Sequence, residues 1–288
     1  MEKVSWRHHY LPVFYLKGFS KETGQLKIYD VEEKRFLKNG KEFSPKSYFF
    51  EKNANTTVFQ ENKSDFLEKD YSDFDNKISP LIEKINSNNF VNRHGVTEDD
   101  MPILNHFVSL MYWRLPHRKT EIEEIINNNE LSSLGLNVHN ADGSVNLERA
   151  EELKNHPEFK KTFRYFNSLM DSIRGINCRT PYSIIERHEA LPFLCSDNPV
   201  IFEKEFLPKV YEDDYIFPLS GTRIFLKCNR TKEFDDFLWL LIDTVIYKQA
   251  IKYVSCTHEK YVEILEENFI KYKMSVDELK TEIFKRIK

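Results

Sequence analysis

From Ser64 onward, apolar residues recur every three or four positions: Leu67, Tyr71, Phe74, Ile78, Leu81, Ile82 and Ile85. That is the spacing of an amphipathic helix. Pro80 lies inside the run, and its missing N–H and its clash one turn back should kink the helix. A second helix is expected after Thr97-Glu98-Asp99-Asp100, which reads as a capping box. Its apolar face is Ile103, Phe107, Leu110 and Met111, and Arg114 takes the next position of that stripe. A third stripe, Phe159, Phe163, Phe166, Met170 and Ile173, stops at Gly175, a residue suited to ending a helix. Ahead of these helices, Gln25–Asp30 and Lys34–Leu37 alternate in part and predict a β-hairpin. Behind them the pattern turns strand-like at 182–186, 192–197, 200–203, 215–220 and 223–229, short runs of β-branched and aromatic residues separated by turn residues. An apolar helix from Asp235 to Tyr247 then leads to a last strand around Ile251–Cys256. A capping box at Ser275–Glu278 opens a C-terminal helix with Val276, Leu279, Ile283 and Ile287 on one face.

This order predicts an α+β fold, with a helical middle region packed on a mostly antiparallel sheet from the C-terminal half plus the N-terminal hairpin. Residues 1–288 read as a single domain. The polar, broken stretch 128–157 reads as a surface insertion with a short helix near Glu148–Lys154.

Composition narrows the function classes. With 23 Phe and 14 Tyr against only 8 Gly, bulky packing is favoured over a glycine-rich, phosphate-cradling fold. Net charge is −4, from 46 acids and 42 bases, so no global field draws the chain to nucleic acid or anionic lipid. The opening MEKVSWRHHY has no apolar signal core, and no apolar run approaches the roughly 20 residues that span a bilayer. Cys178, Cys195, Cys228 and Cys256 are far apart and form no CxxC pair, so they read as buried thiols of a reducing compartment. The expectation is a cytoplasmic protein without a membrane partner. Nucleotide-loop, dinucleotide, zincin and hydrolase-elbow motifs are all absent.

Three polar clusters interrupt the apolar pattern. In the first, His8 and His9 are adjacent, so they project to different sides and at most one usually faces a given site. Pro12 is placed to start a helix that buries Phe14, Tyr15 and Phe19. His9 is either a backbone-bonded anchor or a general acid/base, since imidazole titrates near neutrality. The second cluster is Arg114-Leu115-Pro116-His117-Arg118. A guanidinium on an apolar stripe needs either an acid, expected from the strand region, or an anionic ligand. In the third, Ser196-Asp197-Asn198-Pro199-Val200, Asp and Asn are turn chemistry or a carboxylate presented at a strand end. Phe217-Pro218-Leu219-Ser220 repeats that strand-then-turn pattern.

In this order the clusters resemble the domain of unknown function 4238 family of bacterial proteins. The family opening H-Y-x-P-x-F-Y-L-x-x-F matches His9 to Phe19. Its S-D-N-P-V matches Ser196–Val200, and its P-L-S matches Pro218–Ser220. Its R-x-P-x-x-R is similar to Arg114–Arg118, with the second Arg one place early. The resemblance spans about residues 9–256 and implies no activity, only a loose association with prokaryotic mobile and anti-phage genes.

The leading expectation is a hydrolase acting on phosphodiesters, with nucleic acid or a nucleotide as substrate. His9, Asp197 and Asn198 would be catalytic, while Arg114, Arg118 and Ser220 would bind the substrate. His9 would be the acid/base, and Asp197 would orient it or hold a metal. No motif marks a metal or cofactor site, and a metal-free route and a divalent metal both fit the cluster. The rival expectation is a non-enzymatic interaction or sensor protein with a protein partner, the clusters then serving as hydrogen-bonded supports.

Overall fold

The computed structural model describes residues 6–20, 23–59, 61–87, 96–175, 181–188, 191–204, 208–229 and 232–288. The chain enters as strand β1 (Arg7–His9), and Pro12 then opens the short helix α1 (Val13–Lys17). Tyr15 and Phe19 are buried as expected, and Leu16 with them, while Phe14 is only half-buried at the edge of the core. The expected hairpin forms as β2 (Leu26–Asp30) and β3 (Arg35–Phe36), with Tyr29 opposite Phe36. Strand β4 (Glu42–Phe43) pairs with the other end of β2. Strand β5 (Phe50–Lys52) returns to β1 as a two-stranded antiparallel ribbon, followed by the small hairpin β6 (Thr57–Phe59) and β7 (Asn62–Ser64).

The helical middle is α2 (Phe66–Asn86), α3 (Asp100–Arg114), α4 (Arg118–Asn128), α5 (Leu147–Asn155) and α6 (Pro157–Gly175). Helix α2 continues through Pro80. Asp100 reaches back to the Thr97 backbone N–H at 2.7 Å, one half of the expected box, while α3 itself starts two to three residues later. From Leu104 to Arg114, α3 is buried almost all round, and Ile103, expected on its apolar face, is 41% exposed. A helix enclosed by α2, α4 and α6 has no single dry side, so a one-stripe reading misplaces its edge. Helix α6 departs from its stripe in a different way. Ile173 is exposed, and the buried set is Phe163 with Glu158, Arg164, Ser168 and Asp171.

Strands β8 (Tyr182–Glu186), β9 (Leu194–Ser196), β10 (Ile201–Phe202), β11 (Tyr215–Ser220) and β12 (Arg223–Lys227) follow, then α7 (Asp236–Lys248), β13 (Tyr253–Cys256), α8 (Glu259–Tyr272) and α9 (Val276–Ile287). All the expected strands are present, and both halves of the Ser275–Glu278 capping box form. Two antiparallel sheets result, ordered β10-β11-β12-β8 and β3-β2-β13-β9. The N-terminal hairpin therefore joins the C-terminal strand β13, with Val254 opposite Tyr29.

Helices lie on both sides of these strands, which is why β11 and β12 read as continuous apolar runs. Tyr215, Phe217, Leu219 and Phe225 pack with α1, α2, α3 and α6. Ile216, Ile224 and Leu226 turn the other way, toward α7, α8 and α9. The fold is α+β, as expected. Cys195, Cys228 and Cys256 are buried, while Cys178 lies outside the described residues. Among the described residues no helix is long and apolar enough to cross a membrane.

Candidate functional site

All four motifs meet along residues 9–19. The backbone carbonyl of His9 accepts from Arg114 Nη2 at 3.1 Å. Burial, followed by the charge of Asp197, holds the Tyr10 hydroxyl well above its ordinary pKa, so the first motif lies against the third. Tyr15 Oη donates to the Pro218 carbonyl at 2.9 Å, and Gly221 N–H donates to the Gly18 carbonyl at 2.9 Å. The fit at Gly18 is close: a Cβ there would come within 3.1 Å of Ser220 Cβ and 3.2 Å of Asn86 Nδ2, so those neighbours would have to give.

Arg114 is buried with its guanidinium over the Tyr71 ring, 4.5 Å from the centroid. Its acid is Asp75 of α2, at 2.9 and 3.2 Å, rather than one from the strand region. Burial opposes the charge, but Asp75 outweighs it and raises the pKa further. Arg118 bonds Glu121 of the same helix and lies 4.0 Å over the Tyr112 ring.

Asp197 is buried at the end of β9, where its carboxylate accepts three backbone N–H groups, from Ile251 at 2.8 Å, Lys252 at 2.7 Å and Tyr253 at 2.9 Å. Asn198 and Gln249 exchange bonds beside it: Asn198 Nδ2 donates to the Gln249 carbonyl at 3.1 Å, and Gln249 Nε2 to the Asn198 carbonyl at 2.5 Å. Ser220 is buried, its Oγ accepting the Thr222 N–H at 3.3 Å. The structure thus brings His9 and Arg114 together, and commits Asp197, Asn198 and Ser220 to backbone groups elsewhere.

The two histidines separate as adjacent strand residues must. His8 turns inward, fully buried, and its Nδ1 accepts the Asn55 N–H at 2.8 Å. His9 faces the outer side of the β1–β5 ribbon, half-buried, with its ring 5.6 Å from Phe50 and Nε2 3.4 Å from the Lys46 carbonyl. Burial lowers its pKa below 6.5, and the charges of Arg114 and Arg7 lower it further against the Lys46 bond. The imidazole is therefore neutral at pH 7. A proton on Nε2 directed at Lys46 leaves Nδ1 as the base.

Sequence reasoning missed three groups. Arg7 shares the outer face with His9 because positions i and i+2 of a strand point the same way; that period was the available signal. The other two are Arg164 and Asp171, polar residues on the buried side of α6, recognisable only once their partners are in place. Arg164 bonds Asn55 Oδ1 at 3.3 Å. Asp171 accepts from Trp113 Nε1 at 2.7 Å and Ser109 Oγ at 3.0 Å. Burial raises the Asp171 carboxyl to about 6, against those two bonds. A folded-state pKa above the ordinary value means the fold binds the proton more tightly, so this group costs stability as pH rises from about 4 to about 6. Asp171→Asn keeps an acceptor for Trp113 and removes the titration. The difference in unfolding free energy between variant and parent should grow in the variant's favour over that range, reaching about 2–3 kcal/mol by pH 7. Parallel pH profiles in denaturant melts would contradict this.

A cavity of about 480 Å³ lies between the β2–β3 turn and α8, lined by Tyr29, Phe36, Tyr247, Glu263 and Glu267 among others, and none of the motif residues lines it. Among the described residues no three His, Cys, Asp or Glu side chains are grouped to share a metal ion.

These layers and joints define an α+β protein in which antiparallel strands are covered by helices on both sides, and an N-terminal segment is bonded to the middle helices and the strand turns. The chain belongs to the family described as "Protein of unknown function (DUF4238)", whose model matches residues 7–237 and includes all four motifs. Comparison with curated proteins and with solved structures finds no match.

Proposed function

We propose that the protein hydrolyses phosphodiesters at the outer face of the β1–β5 ribbon, with His9 as general base. The observation that carries this reading is the placement of His9: a half-buried imidazole on an outward-facing strand position, with Arg7 on the same face and Arg114 bonded to its carbonyl. Burial and these cations lower its pKa. Arg114 is a positioning residue, since its Nη2 bond to the His9 carbonyl holds the strand end while Asp75 takes the rest of its fork. Arg7, exposed two residues before His9, is the cation that reaches a phosphate. Nδ1 of His9 takes a proton from the attacking water as its oxygen bonds phosphorus. The bond to the leaving oxygen breaks on the far side, and that oxygen takes a proton from water. Asp197, Asn198, Arg118 and Ser220 have no part in this scheme.

The test is cleavage of a chromogenic phosphodiester. His9→Ala should lose activity at least about 100-fold while its melting temperature stays within a few degrees, because among the described residues the hydrogen bond of the ring is the single long one to Lys46. The acid limb of kcat/KM should have its midpoint below 6.5, and Arg7→Ala should move it upward by removing a cation that depresses the His9 pKa. Full activity of His9→Ala, or a parent protein that cleaves no phosphodiester, would overturn the reading.

A further inference from the structure

The outer face of the ribbon carries more than His9. Arg7 stands opposite Lys52 and His9 opposite Phe50, so these four side chains leave the same side of the two strands. Trp6 extends the pairing, its carbonyl accepting the Asn53 N–H at 2.9 Å, and its indole turns onto this face. The indole meets Phe50 edge-on at 6.3 Å, with Arg7 4.6 Å and Lys52 5.7 Å from its centroid. It is nevertheless 45% exposed, an unusual state for the largest apolar side chain.

The charge on this face runs against the rest of the molecule. The chain is net acidic at −4, yet Arg7, Lys46 and Lys52 are all exposed here. Two acids near this face among the described residues are engaged elsewhere: Glu51 projects from the opposite side of β5 and bonds Lys119 at 3.0 and 2.8 Å, and Asp75 is held by Arg114. An exposed ring flanked by cations is the combination that binds unpaired nucleotides, because bases stack on the ring while phosphates follow the charges. A duplex hides its base faces and gains only the charge contacts. An acidic peptide would likewise use the cations and leave the indole idle.

We infer that the Trp6–Arg7–Phe50–Lys52 face binds single-stranded nucleic acid, which is the substrate class for the His9 site; the word substrate rests on the reading above, the binding does not. A base stacks on Trp6, and the phosphates beside it lie along Arg7 and Lys52 toward His9.

Binding is measured with the full chain and a fluorescently labelled oligo-dT, by anisotropy across a salt series, with the same sequence as a duplex and poly-glutamate as competitors. Trp6→Ala should weaken oligo-dT binding about 5- to 100-fold, and Trp6→Phe should retain most of it. Arg7→Ala/Lys52→Ala should reduce the slope of log K against log salt by about 1.4, two single-strand phosphate contacts. Competition by duplex or poly-glutamate as strong as by unlabelled oligo-dT, or unchanged affinity of Trp6→Ala, would overturn the inference. Cleavage of a small phosphodiester without oligonucleotide binding would sink the inference alone. Binding through Trp6 without cleavage would sink the hydrolase reading alone.

Discussion

Asp197→Ala is expected to destabilise the protein by about 3–5 kcal/mol, the largest effect of any motif residue. The carboxylate takes three backbone N–H groups within 2.9 Å, on the segment that joins α7 to β13. Methyl cannot replace any of them, and an amide left without an acceptor beside the buried Asp197 position costs about 1–3 kcal/mol where water does not reach it. The Asn198–Gln249 exchange on the same two segments will retain part of the clamp. For a chain of this length the loss corresponds to a fall in Tm of about 10 °C. Asp197→Asn keeps one carbonyl oxygen and should fall between parent and alanine variant. A calorimetric Tm for Asp197→Ala within two or three degrees of the parent would show that the clamp is not needed for stability. It would also reopen a role for Asp197 in chemistry.

Removal of Asp243 should be comparably severe, at about 3–5 kcal/mol. Asp243 of α7 is fully buried, bonded to the Arg187 guanidinium and to Tyr261 Oη at 2.5 Å. Arg187 lies at the end of β8, with its guanidinium 5.7 Å from the Trp239 ring centroid. Asp243→Ala strands that guanidinium in the core, which is far worse than having no charge there. The double variant Arg187→Met/Asp243→Leu removes both charges at similar volume and should recover most of the loss. Equal urea midpoints for single and double variants would contradict the stranded-charge argument.

The motif clusters were legible as residues, but their roles were not. Asp-Asn-Pro at a strand end reads equally as a turn and as a presented carboxylate, because the sequence does not show that Ile251–Tyr253 bring their N–H groups to it. Arg114 was recognisable as a buried guanidinium from its place on an apolar stripe. Its acid could not be named, since Asp75 sits on a different helix whose polar face holds several acids. In α6 the periodic aromatics pointed to one face, yet Arg164 and Asp171 are buried, because side chains from α3 and the β5–β6 turn supply their bonds. A polar residue becomes an interior residue only when its partner is near, and that nearness is a tertiary fact.

What this sequence determined by itself is local in origin. The main helices α2, α3, α6, α7 and α9 and the C-terminal strands, the Pro12-started helix, the capping box at Ser275 and the buried cysteines follow from spacing, backbone preference and hydrophobicity within one stretch of chain. Strands β1, β5, β6 and β7 carry no such local signal. The separation of His8 from His9 follows from strand geometry alone. The tertiary structure alone decided which imidazole faces outward, which acids are consumed as joints, and that Trp6, Arg7, Phe50 and Lys52 share one face. Those outcomes depend on a pairing between β1 and β5 across some forty residues, and no short-range pattern encodes that register. The SWRHHY stretch thus resolves into an inward His8 that anchors a turn and an outward His9 beside Trp6 and Arg7.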